Sequence, residues 1–190
     1  RMQALEGLAG GEGVDAQFAP DICLQDGDSV SGPDWALTAL HTPGHMGGHL
    51  CLGWEDRLFS GDHVMGWAPS LVSPPDGDMT DYMASLTRLE QHPWRRAFPA
   101  HGAPIEAPHA RIADLTQHRR GREAAILAAL AGGPSDLDTL TAHVYQDIPP
   151  ALLPAARRNL LAHLIDLFEK NLVHCAGLPG ADTIFTRSDP

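Results

Sequence analysis

The stretch LTALHTPGHMGGHL (37–50) runs apolar from Leu37 to Leu40 and then turns hard at Thr42-Pro43-Gly44. Pro43 fixes its own φ and pushes Thr42 extended, while Gly44 permits a sharp reversal that lets His45 point back over the end of the preceding strand. Two further segments repeat the plan. RLFSGDHVMG (57–66) ends a short apolar run at Asp62, and RRAFPAHGAPI (95–105) ends one at His101. Strand ends are stiff platforms, so side chains placed there can converge although they are far apart in sequence. Imidazole and carboxylate together suit zinc, manganese or iron, and a bridging carboxylate is what a two-metal site uses to hold both ions.

Outward from these segments the pattern alternates strand and loop. ALTAL (36–40), HLCLGW (49–54) and RLFSG (57–61) read as strands, the last two joined by a tight turn at Glu55-Asp56. DICLQDGDSVSG suggests two short strands around an Asp-Gly turn. After the turn cluster SPPDGD (73–78), Tyr82, Leu86 and Leu89 recur at helical spacing behind a Thr80 cap, and AFPA (97–100) closes this half. A different composition begins near Ala107. Residues 109–131 read as one helix, ended by Gly132-Gly133-Pro134, and 135–145 as a second, with Ser135 and Asp138 in capping-box positions. Residues 151–171 form a third, and LVHCAG (172–177) with DTIFTR (182–187) a hairpin. Helix, helix, helix, hairpin is the order of a winged helix. The chain is therefore expected to be α/β, divided into units 1–107 and 108–190.

Charge is uneven. Residues 1–110 carry 5 basic and 15 acidic side chains, residues 111–190 carry 8 and 9, for a net −11 overall. Phosphate affinity is mostly neutralisation by Lys and Arg, so the acidic half is a poor surface for non-specific polyanion binding. Arg119, Arg120 and Arg122 with Arg157 and Arg158 could touch phosphates if they face the site; otherwise they are solvated or paired with Glu123, Asp114 or Asp166. Cys23, Cys51 and Cys175 are widely spaced and in no CxxC pattern, which suggests neither a disulfide framework nor a cysteine zinc site. No apolar run reaches membrane-spanning length and the start is not a signal peptide, so the expected setting is soluble and cytoplasmic, without a membrane partner. The absence of an initiator Met fits a fragment.

The order TPGH, SGD, HG, with a helical segment between the last two, resembles the second half of the metallo-β-lactamase superfamily. HTPGHMGGHL, SGDHVMG, DGDMTDYMASLTRLE, the PAHGAPI block, HRRGRE (118–123) and NLLAHLIDLFEKN resemble in particular the β-lactamase-like protein 2 group, a metallo-β-lactamase domain with a C-terminal winged helix whose best-known member is an endoribonuclease on single strands. The usual TPGHT reads TPGHM here and PGHG reads PAHG, changes that remove no ligand. That family's first metal motif, His-x-His-x-Asp-His, does not occur in the 190 residues.

The resemblance implies the second half of an αββα sandwich followed by a winged helix, and two divalent ions, zinc foremost, with manganese or iron as alternatives. His45 would bind the first ion, His101 the second, and Asp62 would bridge both. A hydroxide shared by ions roughly 3.5–4 Å apart would be the nucleophile, which makes Asp62 the catalytic carboxylate. His49 and His63, close to the ligands, would either orient a ligand or meet substrate, or else be ordinary histidines bonded to backbone. The implied activity is metal-dependent hydrolysis, with single-stranded RNA or a small ester as substrate and a glyoxalase II-like thioesterase as the nearest rival. A third reading is a non-catalytic fragment or oligomerisation scaffold. A chain holding one half of a sandwich would expose its apolar sheet face, so self-association as a homo-oligomer is expected.

Overall fold

A computed structural model describes residues 17–188. The opening residues of the first expected unit, 1–16, lie outside that range. Five strands form one sheet in sequential order: β1 (Ser29–Ser31), β2 (Ala36–His41), β3 (Leu50–Trp54), β4 (Arg57–Gly61) and β5 (Arg96–Pro99). The first four run antiparallel; β5 joins β4 in parallel because α1 (Met79–Glu90) carries the chain back across the sheet. The turn between β3 and β4 is the expected one, with Glu55 taking a left-handed φ of 52°. DICLQDGDSVSG supplies only one strand: Asp26-Gly27 turns as expected, but the chain before it forms no strand, and β1 pairs with β2 instead.

The pleat sorts the sheet's two faces. Leu40, Cys51, Leu58 and Ala97 point inward onto Tyr82, Leu86 and Leu89 of α1 and onto Ile112 and Leu115 of α2 (Pro108–Leu130), forming the first core. On the other face Leu52, Phe59 and Phe98 lie in lateral register, and the Phe59 and Phe98 rings stack 5.4 Å apart. Phe59 remains 38% exposed, so no layer among the described residues covers that face. One face of the sheet is covered by the helices and the other carries the partly exposed Phe59 beside Phe98.

The C-terminal elements follow the winged-helix order. After α2 come β6 (Ser135–Asp136), α3 (Leu137–Val144), α4 (Leu153–Glu169), β7 (Val173–Cys175) and β8 (Ile184–Arg187), with β8 central in a three-stranded sheet. Ile126 and Leu130 pack with Leu137, Leu140, Leu160, Leu164, Leu167 and Phe185 in a second core. The helix α2 belongs to both cores, its first turns to one and its last to the other, and Ala162 of α4 reaches into the first. Two caps differ from expectation. Asp78, not Thr80, caps α1 by accepting from the Asp81 N–H, and Asp136, not Ser135, caps α3 by accepting from Thr139. Thr80 instead donates to Asp166 of α4 at 2.7 Å, and Ser135 is taken up in β6.

The junction between the cores holds buried cationic chemistry. Arg119 is 1% exposed and donates to the Ser70 carbonyl, with its guanidinium 5.0 Å from the Tyr82 ring; Arg122 donates to the Val144 carbonyl and lies over Tyr145. Arg157 is held by Asp138. Arg119 and Arg122, which could have touched phosphate had they faced the site, are engaged by carbonyls and rings.

His163 of α4 is also 1% exposed, and neither ring nitrogen has a hydrogen-bond partner among the described residues. Burial first, then the charges of Arg119, His118, Lys170 and Arg122, push its pKa down to about 3. The unfolded chain binds this proton near pH 6.5 and the folded chain does not, so the neutral ring's contribution is whole above pH 6.5 and is lost as pH falls toward 3. His163→Leu is expected to fold as well as the parent at pH 7.5. Between pH 4 and 6 its stability should fall less steeply, by up to about 1.4 kcal/mol per pH unit, the worth of one proton. Urea denaturation across that range checks it; parallel acid slopes for parent and variant would show that His163 titrates alike in both states.

Candidate functional site

The loops after β2, β4 and β5 meet at one end of the sheet. Gly44 turns the first with φ 133° and packs so closely on α1 that a Cβ there would stand 2.2 Å from the Tyr82 Cα. The Gly44 carbonyl accepts from the Asp78 N–H at 2.9 Å, fastening the loop to the cap of α1. Gly61, φ 54°, ends β4 and leaves room for the His49 ring, whose Nε2 would lie 2.6 Å from a Cβ at that position. These two glycines let His45 and Asp62 approach each other.

Asp62 sits between the two histidines. His45 Nε2 is 4.0 Å from Asp62 Oδ2, and His101 Nε2 is 3.7 Å from Asp62 Oδ1. Each imidazole faces a different oxygen of one carboxylate, at separations too long for hydrogen bonds. Asp62 Oδ1 is shielded from solvent and has no hydrogen-bond partner among the described residues. His45 Nδ1 lies 2.6 Å from the Leu71 carbonyl, which can only accept, so Nδ1 carries a proton and Nε2 is the nitrogen turned toward Asp62. This is how a metal-ligating imidazole is commonly held. Two imidazoles and a carboxylate are donor types that suit a divalent ion. Among the described residues, no group of three His, Cys, Asp or Glu side chains closes a complete metal site.

Behind the ligands, His49 and His63 form a neutral layer. His49 Nδ1 is 2.9 Å from Thr42 Oγ1, and burial first, then the neighbouring His45, lowers its pKa to about 4. His63 is fully buried, its ring 5.5 Å from that of His49 and 4.6 Å from that of Tyr82, and burial pushes its pKa down to about 3. His63 has no exposed surface and packs between the His49 and Tyr82 rings. Cys51, also buried, has its thiol pushed up to about 12 and serves as core.

The segment 70–72 gave no signal in the sequence. Ser70 Oγ donates to the carbonyls of Asp62 at 2.5 Å and His63 at 2.9 Å, and the next residue supplies the acceptor for His45. Trp67, 70% exposed, lies against Gly102, next in sequence to His101.

Comparison with known proteins bears on the fold. The family model described as the metallo-beta-lactamase superfamily matches residues 4–101. The chain belongs to the metallo-beta-lactamase superfamily. The beta-lactamase associated winged helix domain matches residues 137–178. Over 165 residues the chain is 35% identical to the beta-lactamase-like protein 2 homolog of Drosophila melanogaster, covering 78% of this chain and 55% of that one. A metallo-beta-lactamase family protein from Thermus thermophilus superposes with TM-score 0.75 at 29% identity, over 87% of this chain and 54% of that one. A beta-lactamase domain protein from Burkholderia ambifaria, 24% identical with TM-score 0.77, shares the fold over 87% of this chain and 52% of that one. The chain spans about half the length of these relatives. Superfamily members typically hold divalent metals, and homologues of this fold are generally hydrolases. No helix among the described residues is long and apolar enough to cross a membrane.

Proposed function

We propose that this chain provides the second half of the active site of a divalent-metal-dependent hydrolase, zinc being the first choice of metal. The observation that carries the reading is Asp62, whose two oxygens each face the Nε2 of a different histidine. His45 would hold one ion, His101 the other, and Asp62 both. When bound, the ions act as Lewis acids and make water acidic enough to supply a nucleophile near neutral pH. The chain's own residues do the rest. The Leu71 carbonyl keeps His45 in the ligating tautomer, Ser70 anchors the backbone of Asp62, and the half-buried His49 and buried His63 present no added positive charge behind the site.

The substrate we favour is a small ester or thioester. The unit bearing the site is strongly acidic, and Arg119 and Arg122 face inward rather than toward a phosphate backbone. One observation supports single-stranded RNA as a second reading: the exposed indole of Trp67 beside the His101 loop offers a face on which a base can stack. The test is the native-length protein, loaded with zinc, assayed on S-lactoylglutathione, on a chromogenic ester and on a single-stranded RNA oligonucleotide. Chelator-sensitive hydrolysis of the thioester or ester is expected. Cleavage of the RNA alone would replace the first reading with the second, and inertness toward all three would sink the hydrolase assignment.

A further inference from the structure

Three consecutive residues, Ser70 to Val72, touch both ligand loops and both helices of the junction. Ser70 Oγ donates to the carbonyls of Asp62 and His63, and the Leu71 carbonyl accepts from His45 Nδ1. On the other side, Arg119 of α2 donates to the Ser70 carbonyl, and the Val72 N–H donates to Asn159 Oδ1 of α4 at 3.2 Å. Arg119 also stacks on Tyr82, whose hydroxyl donates to the His63 carbonyl at 3.1 Å. Each of these polar atoms of the segment is engaged. On one side the partners are the loops of the ligands; on the other they are helices that run into the second core.

We infer that Ser70, Arg119 and Asn159 are positioning residues, through which the winged helix fixes the orientation of His45 and Asp62. The inference rests on the ligand roles proposed above. Its physical basis is geometric. A carbonyl selects the tautomer and ring plane of a ligating histidine only if the carbonyl is itself held, and Leu71 has fixed neighbours on both sides. Without α4, the Val72 N–H loses its partner, and the segment is free to turn the Leu71 carbonyl away from His45. The winged helix would then contribute to the metal centre without touching metal or substrate. Domain deletion should cost metal affinity as well as any substrate contacts.

The experiment uses the native-length protein with Asn159→Leu, which removes the acceptor; Asn159→Asp, which keeps it; and Leu167→Ala, which loosens the second core away from the segment. Two properties are read: the tautomer of the His45 ring by 15N NMR on zinc-free protein, and zinc affinity by chelator competition. Parent and Asn159→Asp should show the Nδ1–H tautomer. Asn159→Leu should show a mixture and bind zinc about 10–100-fold more weakly, the usual cost of losing a residue that supports a metal ligand. Leu167→Ala should lower the melting temperature and move neither readout. A parent-like tautomer and zinc affinity in Asn159→Leu would overturn the inference, and so would equal shifts in Leu167→Ala. A parent that binds no zinc, but whose tautomer responds to Asn159→Leu as stated, would support the positioning role and remove the metal reading instead.

Discussion

Asp62→Ala is expected to strip the native-length protein of both divalent ions and to lower hydrolysis by about 10³-fold or more, because several kcal/mol of charge stabilisation leave with the ions. The fold should survive. Asp62 is anchored by its backbone carbonyl, which accepts from Ser70, and that bond remains in the variant. Its buried Oδ1 satisfies no donor among the described residues, so truncation orphans no partner there. Compared metal-free, the variant is therefore expected to lie within about 0.5 kcal/mol of the parent; against the metal-loaded parent it also loses the stabilisation that bound ions give. His45→Ala and His101→Ala should each lose mainly one ion, since each ring faces a separate oxygen of the carboxylate. Elemental analysis of the purified variants, with a denaturation curve for each, separates metal loss from unfolding. An Asp62→Ala protein that keeps its full metal content and activity would end the bridging assignment.

Gly44→Ala should act in the opposite way, through the fold first. A methyl at this position would stand 2.2 Å from the Tyr82 Cα and 2.4 Å from its N, so the obstacle is helix backbone and not a side chain that can turn aside. The φ of 133° adds strain for any residue with a Cβ. Overpacking and strain together should cost about 4 kcal/mol, roughly 8–16 °C in melting temperature for a chain of this size. The movement would also reach the site. Displacing α1 shifts Tyr82, which supports His63 and carries Arg119, and shifts the loop that presents His45. Differential scanning calorimetry reads the result, and a melting temperature within about 3 °C of the parent would show that α1 can back away at little cost.

That His45, Asp62 and His101 come together was legible because each closes an apolar run and opens a loop marked by Gly or Pro. Those marks are local: Pro43-Gly44, Gly61 and Gly102 report backbone shape within a few residues. Helices α1, α2 and α4 were legible for the same reason, their apolar positions recurring at helical spacing, and their ends fell within about two residues of expectation, as helix ends do. The caps were misread where two candidates stood close together. Asp78 and Thr80 are both good N-cap residues, and what separated them was Asp166, 86 positions on, which engages the Thr80 hydroxyl.

What the chain did not announce was its long-range hydrogen bonding. SLV (70–72) has no periodicity and no motif, yet it joins Asp62, His45, Arg119 and Asn159 across as many as 87 positions. Arg119, for which the sequence suggested phosphate contact, solvent or a carboxylate partner, is a buried cation at the seam of the two cores, and His163 is a buried group near it. Local spacing reports which face of an element is apolar. It does not report which distant carbonyl will come within about 3 Å of a side chain, because that depends on how whole elements pack, and only the folded chain sets that distance.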